Sequence, residues 1–289
     1  MFNSLRFFAS EADGPVVHVA PNHIFTIGSL QVTNSMLYGL IISLLMVVGL
    51  IYLARKVTVR PKGGVVQFVE AMVTFVSDLV EGAFDNKSVG RKYVPFFVTL
   101  FFFILIHNWS GLIPGVGEAI QLNGEPLLRA MTADLNTTLA IGLIAMGVVY
   151  VAAIREVGGI GKYIRHFFIG SPLNPLYLVI GLIEMITDLT RALSLALRLF
   201  LNMTIGEIVI AVFAYLGTLL APASVLAPIT ALPFTLLELG VGALQAYIFV
   251  ILAVNYLAIT VNSAHSHASA ADLTEDETPE TIKAIAAKA

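Results

Sequence analysis

The sequence predicts an all-α integral membrane protein with several transmembrane helices, one interfacial amphipathic helix and a long, tilted C-terminal helical hairpin. Three observations carry this prediction. Hydrophobic residues make up 57% of the chain and charged residues 12%, against about 25% charged in ordinary globular proteins; mean hydropathy is +0.88. Apolar stretches of membrane-spanning length alternate with loops rich in lysine and arginine. Finally, the stretch from Leu176 to Ala221 contains no proline. As one helix it would run about 69 Å at 1.5 Å per residue, more than twice the roughly 30 Å bilayer core. Such a helix either breaks, near Gly206 or Gly217, or lies strongly tilted. Residues 1–289 read as a single membrane domain, with an outer arm (1–32), membrane helices (33–263) and a polar cytoplasmic tail (264–289).

Taken in order, residues 1–32 mix turn formers with short apolar pieces and read as an irregular arm on the membrane surface. The apolar run at the start is too short for a typical cleaved signal peptide. Thr33 or Asn34 can cap the first span, about Met36 to Leu53. Arg55, Lys56, Arg60 and Lys62 follow at once, so the positive-inside rule makes this loop cytoplasmic and the N-terminus external. Residues 65–84 are amphipathic: Phe68, Met72, Phe75 and Leu79 share one face, with Gln67, Glu70, Thr74, Asp78 and Glu81 mostly elsewhere. Such a helix lies in the interface or packs on a partner's stalk, and its acidic face disfavours simple attraction to anionic lipid. Lys87, Arg91 and Lys92 mark the cytoplasm again before the span Tyr93 to Ile113. His107 in that span reads as an interhelical hydrogen-bonding group. Asn136 to Ile154 crosses back to Arg155, Lys162, Arg165 and His166. After the hairpin's first helix, a turn over 222–233 leads to a return helix, Phe234 to Asn262. The tail from His265 to Ala289 is polar, mostly acidic and expected to be mobile, with a short helix begun at Thr278-Pro279. His265 and His267 lie within it and are not read as a metal pair. The net charge of −3 leaves no electrostatic footprint for nucleic acid. The absence of cysteine removes disulfides, thiolate metal sites and thiol nucleophiles. No metal site or cofactor is indicated, and no internal repeat, phosphate loop or nucleophile motif is visible.

The chemistry concentrates in Gly181 to Glu207. Glu184, Asp188, Arg191, Arg198 and Asn202 fall within roughly an 80° arc of a helix, and Glu207 points elsewhere. A charge facing lipid would cost at least about 2.5–3.5 kcal/mol, so the stripe must face protein or water. One reading is a structural set of salt bridges. Four charges and an asparagine in line point instead to a path for ions. Between Ser171 and Ser263 the only other charges are Glu207 and Glu238. Glu184 and Asp188 lie toward the cytoplasm, Arg198 about 15–21 Å further along the helix, and Glu207 deeper still. Glu238 and Gln245 stack on the return helix. This layout suits proton translocation alongside a moving partner. Carboxylates in partly wet, low-dielectric surroundings can pass protons; arginine keeps its charge at any working pH.

The run from Ser194 to Met203, SLALRLFLNM, followed by Gly206-Glu207, resembles the signature of subunit a of F-type ATP synthases. Gln245 to Phe249, Asn108 to Pro114 and Thr132 to Asn136 resemble further motifs of that family, in the same order, so the likeness spans roughly Thr33 to Asn262. Leu201 departs from it, standing where a small residue is usual, as does Ala192, where proline is common. The resemblance implies a stator subunit that is not itself catalytic toward ATP. Its hairpin would curve around a rotating ring of subunit c and offer two offset half-channels. Arg198 matches the family's essential arginine and would bar passage between the two. Asn202, Glu207, Glu238 and Gln245 would serve the outer path; Glu184, Asp188, Ser194 and Asn108 the inner one. The implied partners are the ring, the peripheral-stalk subunit b, the rest of the ATP synthase complex and the lipid bilayer, in a bacterial inner membrane. H⁺ and Na⁺ both stay open as the carried ion, because the ring's own site largely decides it. The alternative from another class is a self-contained ion-coupled secondary transporter or channel, whose folds often carry internal repeats.

Overall fold

A computed structural model describes residues 5–7, 21–28, 30–57, 63–114, 116, 120–122, 125–126, 128–161, 163, 175–220 and 226–275. Six long helices dominate them: α1 (Asn34–Ala54), α2 (Gly64–Ala83), α3 (Lys87–Gly111), α4 (Leu135–Val157), α5 (Pro175–Leu220) and α6 (Leu226–Glu275). Five of the six are long and apolar enough to cross a membrane; α2 is not among them. The protein is a multi-pass membrane protein.

The helices start where their sequences supply caps. Thr33 Oγ1 accepts from the Met36 amide, Asn86 from Ser88 and Asp134 from Asn136, each satisfying a donor that the first turn leaves open. α4 ends on Gly158 in the left-handed conformation, at φ 90°, which glycine adopts without a Cβ clash.

Two ends of the bundle can be told apart. At one, Lys92 of α3 bonds Glu156 of α4 at 3.2 Å, and Arg91 donates to Glu81 of α2, holding the Glu81 carboxyl below its usual range. Asn262 of α6 also reaches this end, its amide against the Ala83 carbonyl. At the other end, Ser35 of α1 donates to Asp134 at 2.8 Å, and the Tyr38 hydroxyl donates to the Ser110 carbonyl at the close of α3. The basic termini of α1, α3 and α4 therefore share one end, as the charge pattern requires; Lys162 lies outside the described residues. His107 ties α3 to α1, with Nε2 3.1 Å from Ser43 Oγ and 3.3 Å from the Gly39 carbonyl.

Four features differ from the sequence reading. The arm contains a hairpin, β2 (His23–Ile27) with β3 (Leu30–Thr33), turning at Gly28, and a strand β1 (Leu5–Phe7) that pairs with β4 (Ile120–Leu122) of the loop between α3 and α4. β4 pairs in turn with β5 (Glu125–Pro126). Short exposed backbone satisfies its polar groups by pairing when it cannot form a helix. On α2 Val66, Val76 and Val80 are buried in the bundle, and the face read from the sequence divides: Met72 and Leu79 pack against the core while Phe68 and Phe75 stay exposed; compact valines allow the helix to approach α3 more closely than phenylalanines would. α6 begins at Leu226 rather than after Pro233, because Pro228 falls in the first turn, where no amide donor is needed. It then runs past Asn262 to Glu275, through an alanine-rich segment with no proline or glycine to stop it. Residues 276–289 lie outside the description.

The core is shared by Phe97 and Ile104 of α3, Met146 and Val149 of α4, Leu195 and Leu199 of α5, and Phe249 and Leu257 of α6. α5 is one unbroken helix of 46 residues. It does not break at Gly206 or Gly217.

Candidate functional site

α5 and α6 pack against each other, and several polar or small residues on one meet a particular feature of the other. Near the loop joining them, Phe213 stacks on Phe234 at 3.7 Å, and Thr230 donates to the Phe213 carbonyl. Further along, Gly206 faces the Glu238 carboxylate so closely that a Cβ on Gly206 would stand 2.5 Å from Oε1. The carboxylate thus occupies a notch that a missing side chain leaves open. Next, Gln245 of α6 comes opposite Arg198 and Asn202 of α5. Toward the basic end, the Arg191 guanidinium lies 4.6 Å from the centre of the Tyr256 ring.

Arg198, Asn202, Ser194 and Gln245 line one cavity of about 520 Å³, with Thr190, Leu193, Leu197 and Leu201 completing its wall. Arg198 is exposed there and forms no ion pair among the described residues. Leu201, in the position where the family usually has a small residue, is 49% exposed on this wall. Ala192 turns away from it and is buried, its carbonyl beside Gly142 of α4.

Buried polar groups continue from the cavity. Glu238 is 6% exposed and Gln245 4%. Asn108 of α3 is fully buried and donates from Nδ2 to the Gly242 carbonyl at 3.2 Å, while the neighbouring Trp109 donates to the Leu239 carbonyl. Among the described residues, buried atoms without a protein partner include Asn108 Oδ1, Asn202 Nδ2, Glu238 Oε1 and Gln245 Nε2. Leaving such an atom unsatisfied costs about 1–3 kcal/mol, which is why sites of this kind are served by water. Glu207 is partly buried on α5.

Asn108, expected with Glu184, Asp188 and Ser194 on the inner path, makes its contact with α6. It lies near the far end of α3 from the basic terminus, and its amide bonds the turn between Glu238 and Gln245. Ser194 shares its cavity with Asn202 and Gln245. Glu184 and Asp188 lie on α5, and their side chains fall outside the described ones. Sequence reading gave no separate role to Trp109, which lies within the Asn108–Pro114 motif, did not pair Gly206 with Glu238, and missed Gly242. Small residues at helix crossings, Gly206 and Gly242, were the available signal for where α6 and α3 come close. Among the described residues no cluster could hold a metal ion.

Fold and site together define a multi-pass membrane protein carrying charged and buried polar groups between its spans. Residues 36–258 match the family described as ATP synthase A chain. The ATP synthase subunit a of Moorella thermoacetica is 32% identical over 253 residues, 87% of this chain and 100% of that protein. ATP synthase subunit a 1 of Syntrophotalea carbinolica is 34% identical over 222 residues, 77% of this chain and 83% of that protein. The subunit a of Sulfurihydrogenibium sp. is 34% identical over 195 residues, covering 68% and 81%. The chain belongs to the ATP synthase subunit a family, the proton-translocating stator component of F-type ATP synthase, and works in complex with other subunits of that enzyme.

Proposed function

We propose that the chain offers two offset half-channels to a rotating ring of subunit c, with Arg198 as the fixed charge between them. The observation that carries this reading is the guanidinium standing exposed in a cavity, without an ion pair among the described residues, and flanked by Asn202 and Gln245. A cation so placed attracts an ionised carboxylate on a passing partner helix and bars direct proton exchange across itself. The outer path takes Glu207, Glu238, Gln245, Asn202 and also Asn108, a grouping that its bond to the Gly242 carbonyl supports. Glu184, Asp188 and Ser194 serve the inner path, Ser194 at the cavity where that path meets Arg198. The basic end faces the cytoplasm of a bacterium, with the N-terminus outside and the C-terminus inside. The peripheral-stalk subunit b is a second partner. A self-contained transporter is not favoured: no internal repeat is present, and the family works within a larger complex.

The test is the permanence of the charge. Lysine in a desolvated site can lose its proton, whereas arginine, with a pKa above about 12, cannot. Arg198→Lys should therefore abolish proton-driven ATP synthesis in vesicles almost as completely as Arg198→Ala. The alanine variant should also leak protons when the ring is present. Each charge crossing 100 mV releases about 2.3 kcal/mol, so even a small leak dissipates the gradient. Near-normal synthesis by the lysine variant would return Arg198 to a structural role.

A further inference from the structure

Arg191 and Arg198 stand seven residues apart on α5, so they lie only about 20° apart around the helix and about 10 Å apart along it. Thr187 and Ser194, which flank Arg191 on the same face, are exposed, and so is Arg198. By position Arg191 should be exposed too, presenting a second permanent cation to whatever passes that face. It is instead half-buried, its guanidinium over the Tyr256 ring of α6 at 4.6 Å. That ring is itself held on two sides. The Tyr256 hydroxyl lies 3.1 Å from the Tyr163 hydroxyl, and Tyr150 of α4 meets the ring edge-on, with centroids 5.5 Å apart and planes at 82°. Tyr163 and Tyr256 are both buried.

The geometry points to Tyr256 as a positioning residue: held by Tyr150 and Tyr163, its ring keeps the Arg191 charge against α6 and away from the partner-facing strip, so that Arg198 alone meets the partner's carboxylate. This inference rests on the proposed role of Arg198. The attraction is between cation and ring face, so the ring matters and the hydroxyl only steadies it. Without the pull of the ring, Arg191 would turn toward the strip more often and compete for the same ionised carboxylate. It would hold that carboxylate on the cytoplasmic side of Arg198 and slow each rotation step.

The experiment is proton-driven ATP synthesis by the intact complex in vesicles, normalised to assembled complex. Tyr256→Leu should slow synthesis roughly two- to fivefold, the range that about 0.5–1 kcal/mol for a cation–π contact corresponds to. Tyr256→Phe, which keeps the ring, should run near the parent rate. Adding Arg191→Gln to Tyr256→Leu should restore most of the loss, a rescue that damaged packing alone would not give. Arg191→Gln by itself should run at the parent rate; where Tyr256→Leu does not assemble, Tyr256→Met takes its place, with the same loss and the same rescue by Arg191→Gln expected. The proposal is overturned by an unimpaired Tyr256→Leu, by a Tyr256→Phe as slow as the leucine variant, by absence of rescue, or by a clear loss in Arg191→Gln. Arg198→Ala in the same vesicles separates the two levels: if it still synthesises, the role of Arg198 has failed, and otherwise the outcome bears on Tyr256.

Discussion

At Gly206 one hydrogen atom in place of a side chain decides where a carboxylate sits. The Glu238 carboxyl lies in the space a Cβ would take, while its own helix keeps it 6% exposed. Gly206→Ala should therefore push the carboxylate out of its notch or spread α5 from α6. Overpacking of this kind costs about 1–3 kcal/mol, and relief by moving a charged group toward lipid costs at least as much. The expected outcome is assembled complex with strongly reduced proton-driven synthesis and a lowered thermal midpoint. Wild-type rates with unchanged stability would show that the notch is not required. The sequence made Arg198, Glu207 and Glu238 visible because charge in an apolar run cannot be ignored. It left Gly206 and Asn108 without neighbours, because their meaning depends on which helix lies opposite, and helix pairing is not written in periodicity.

Among the elements, the helices were legible wherever polarity changes sharply, and less so where a helix continues through polar sequence. The caps at Thr33 and Asp134 fall at the boundaries of apolar runs, so α1 and α4 could be read. The extension of α6 to Glu275 could not, because hydropathy drops before helix propensity does. The face of α2 divides: Met72 and Leu79 pack against the core while Phe68 and Phe75 stay exposed, because in a helix with more apolar residues than one face needs, size selects which of them face the bundle. Asp134 shows how an element end also serves as a joint. Its Oδ1 accepts the Asn136 amide at 3.0 Å, and its Oδ2 takes the Ser35 hydroxyl of α1 at 2.8 Å and the Thr137 hydroxyl at 3.2 Å. Asp134→Ala removes a cap, worth about 0.5–2 kcal/mol, together with the link that fixes the start of α1. Hydrogen exchange should rise in the first turns of both α1 and α4, more than in Asn136→Ala, which leaves the carboxylate in place. Unchanged exchange in α1 would show that the helix is held by its hairpin alone.

On the scale of the whole molecule, what matters is which groups share an end. Lys92 bonds Glu156, Arg91 bonds Glu81, and Asn262 reaches Ala83, so α2, α3, α4 and α6 meet at one end. Ser35–Asp134 and Tyr38–Ser110 define the other and fix α1 with its basic terminus beside the rest. The bundle is therefore oriented as a unit: one basic end, crossed as a whole by the membrane, sets the sidedness of every site residue between. Lysine and arginine near span ends are retained on the cytoplasmic side, so single cysteines at Lys56, Lys92 and Lys162 should all be labelled from the cytoplasm. A cysteine at Asn22, beside the β-hairpin at the opposite end, should be labelled only from outside. The natural chain contains no cysteine, so each signal comes from one position. Because Lys56 follows α1 and Lys92 opens α3, opposite labelling of these two would contradict the shared end itself. Labelling of all three lysine positions from outside would keep the bundle and invert it, exchanging the assignments of the inner and outer paths around Arg198.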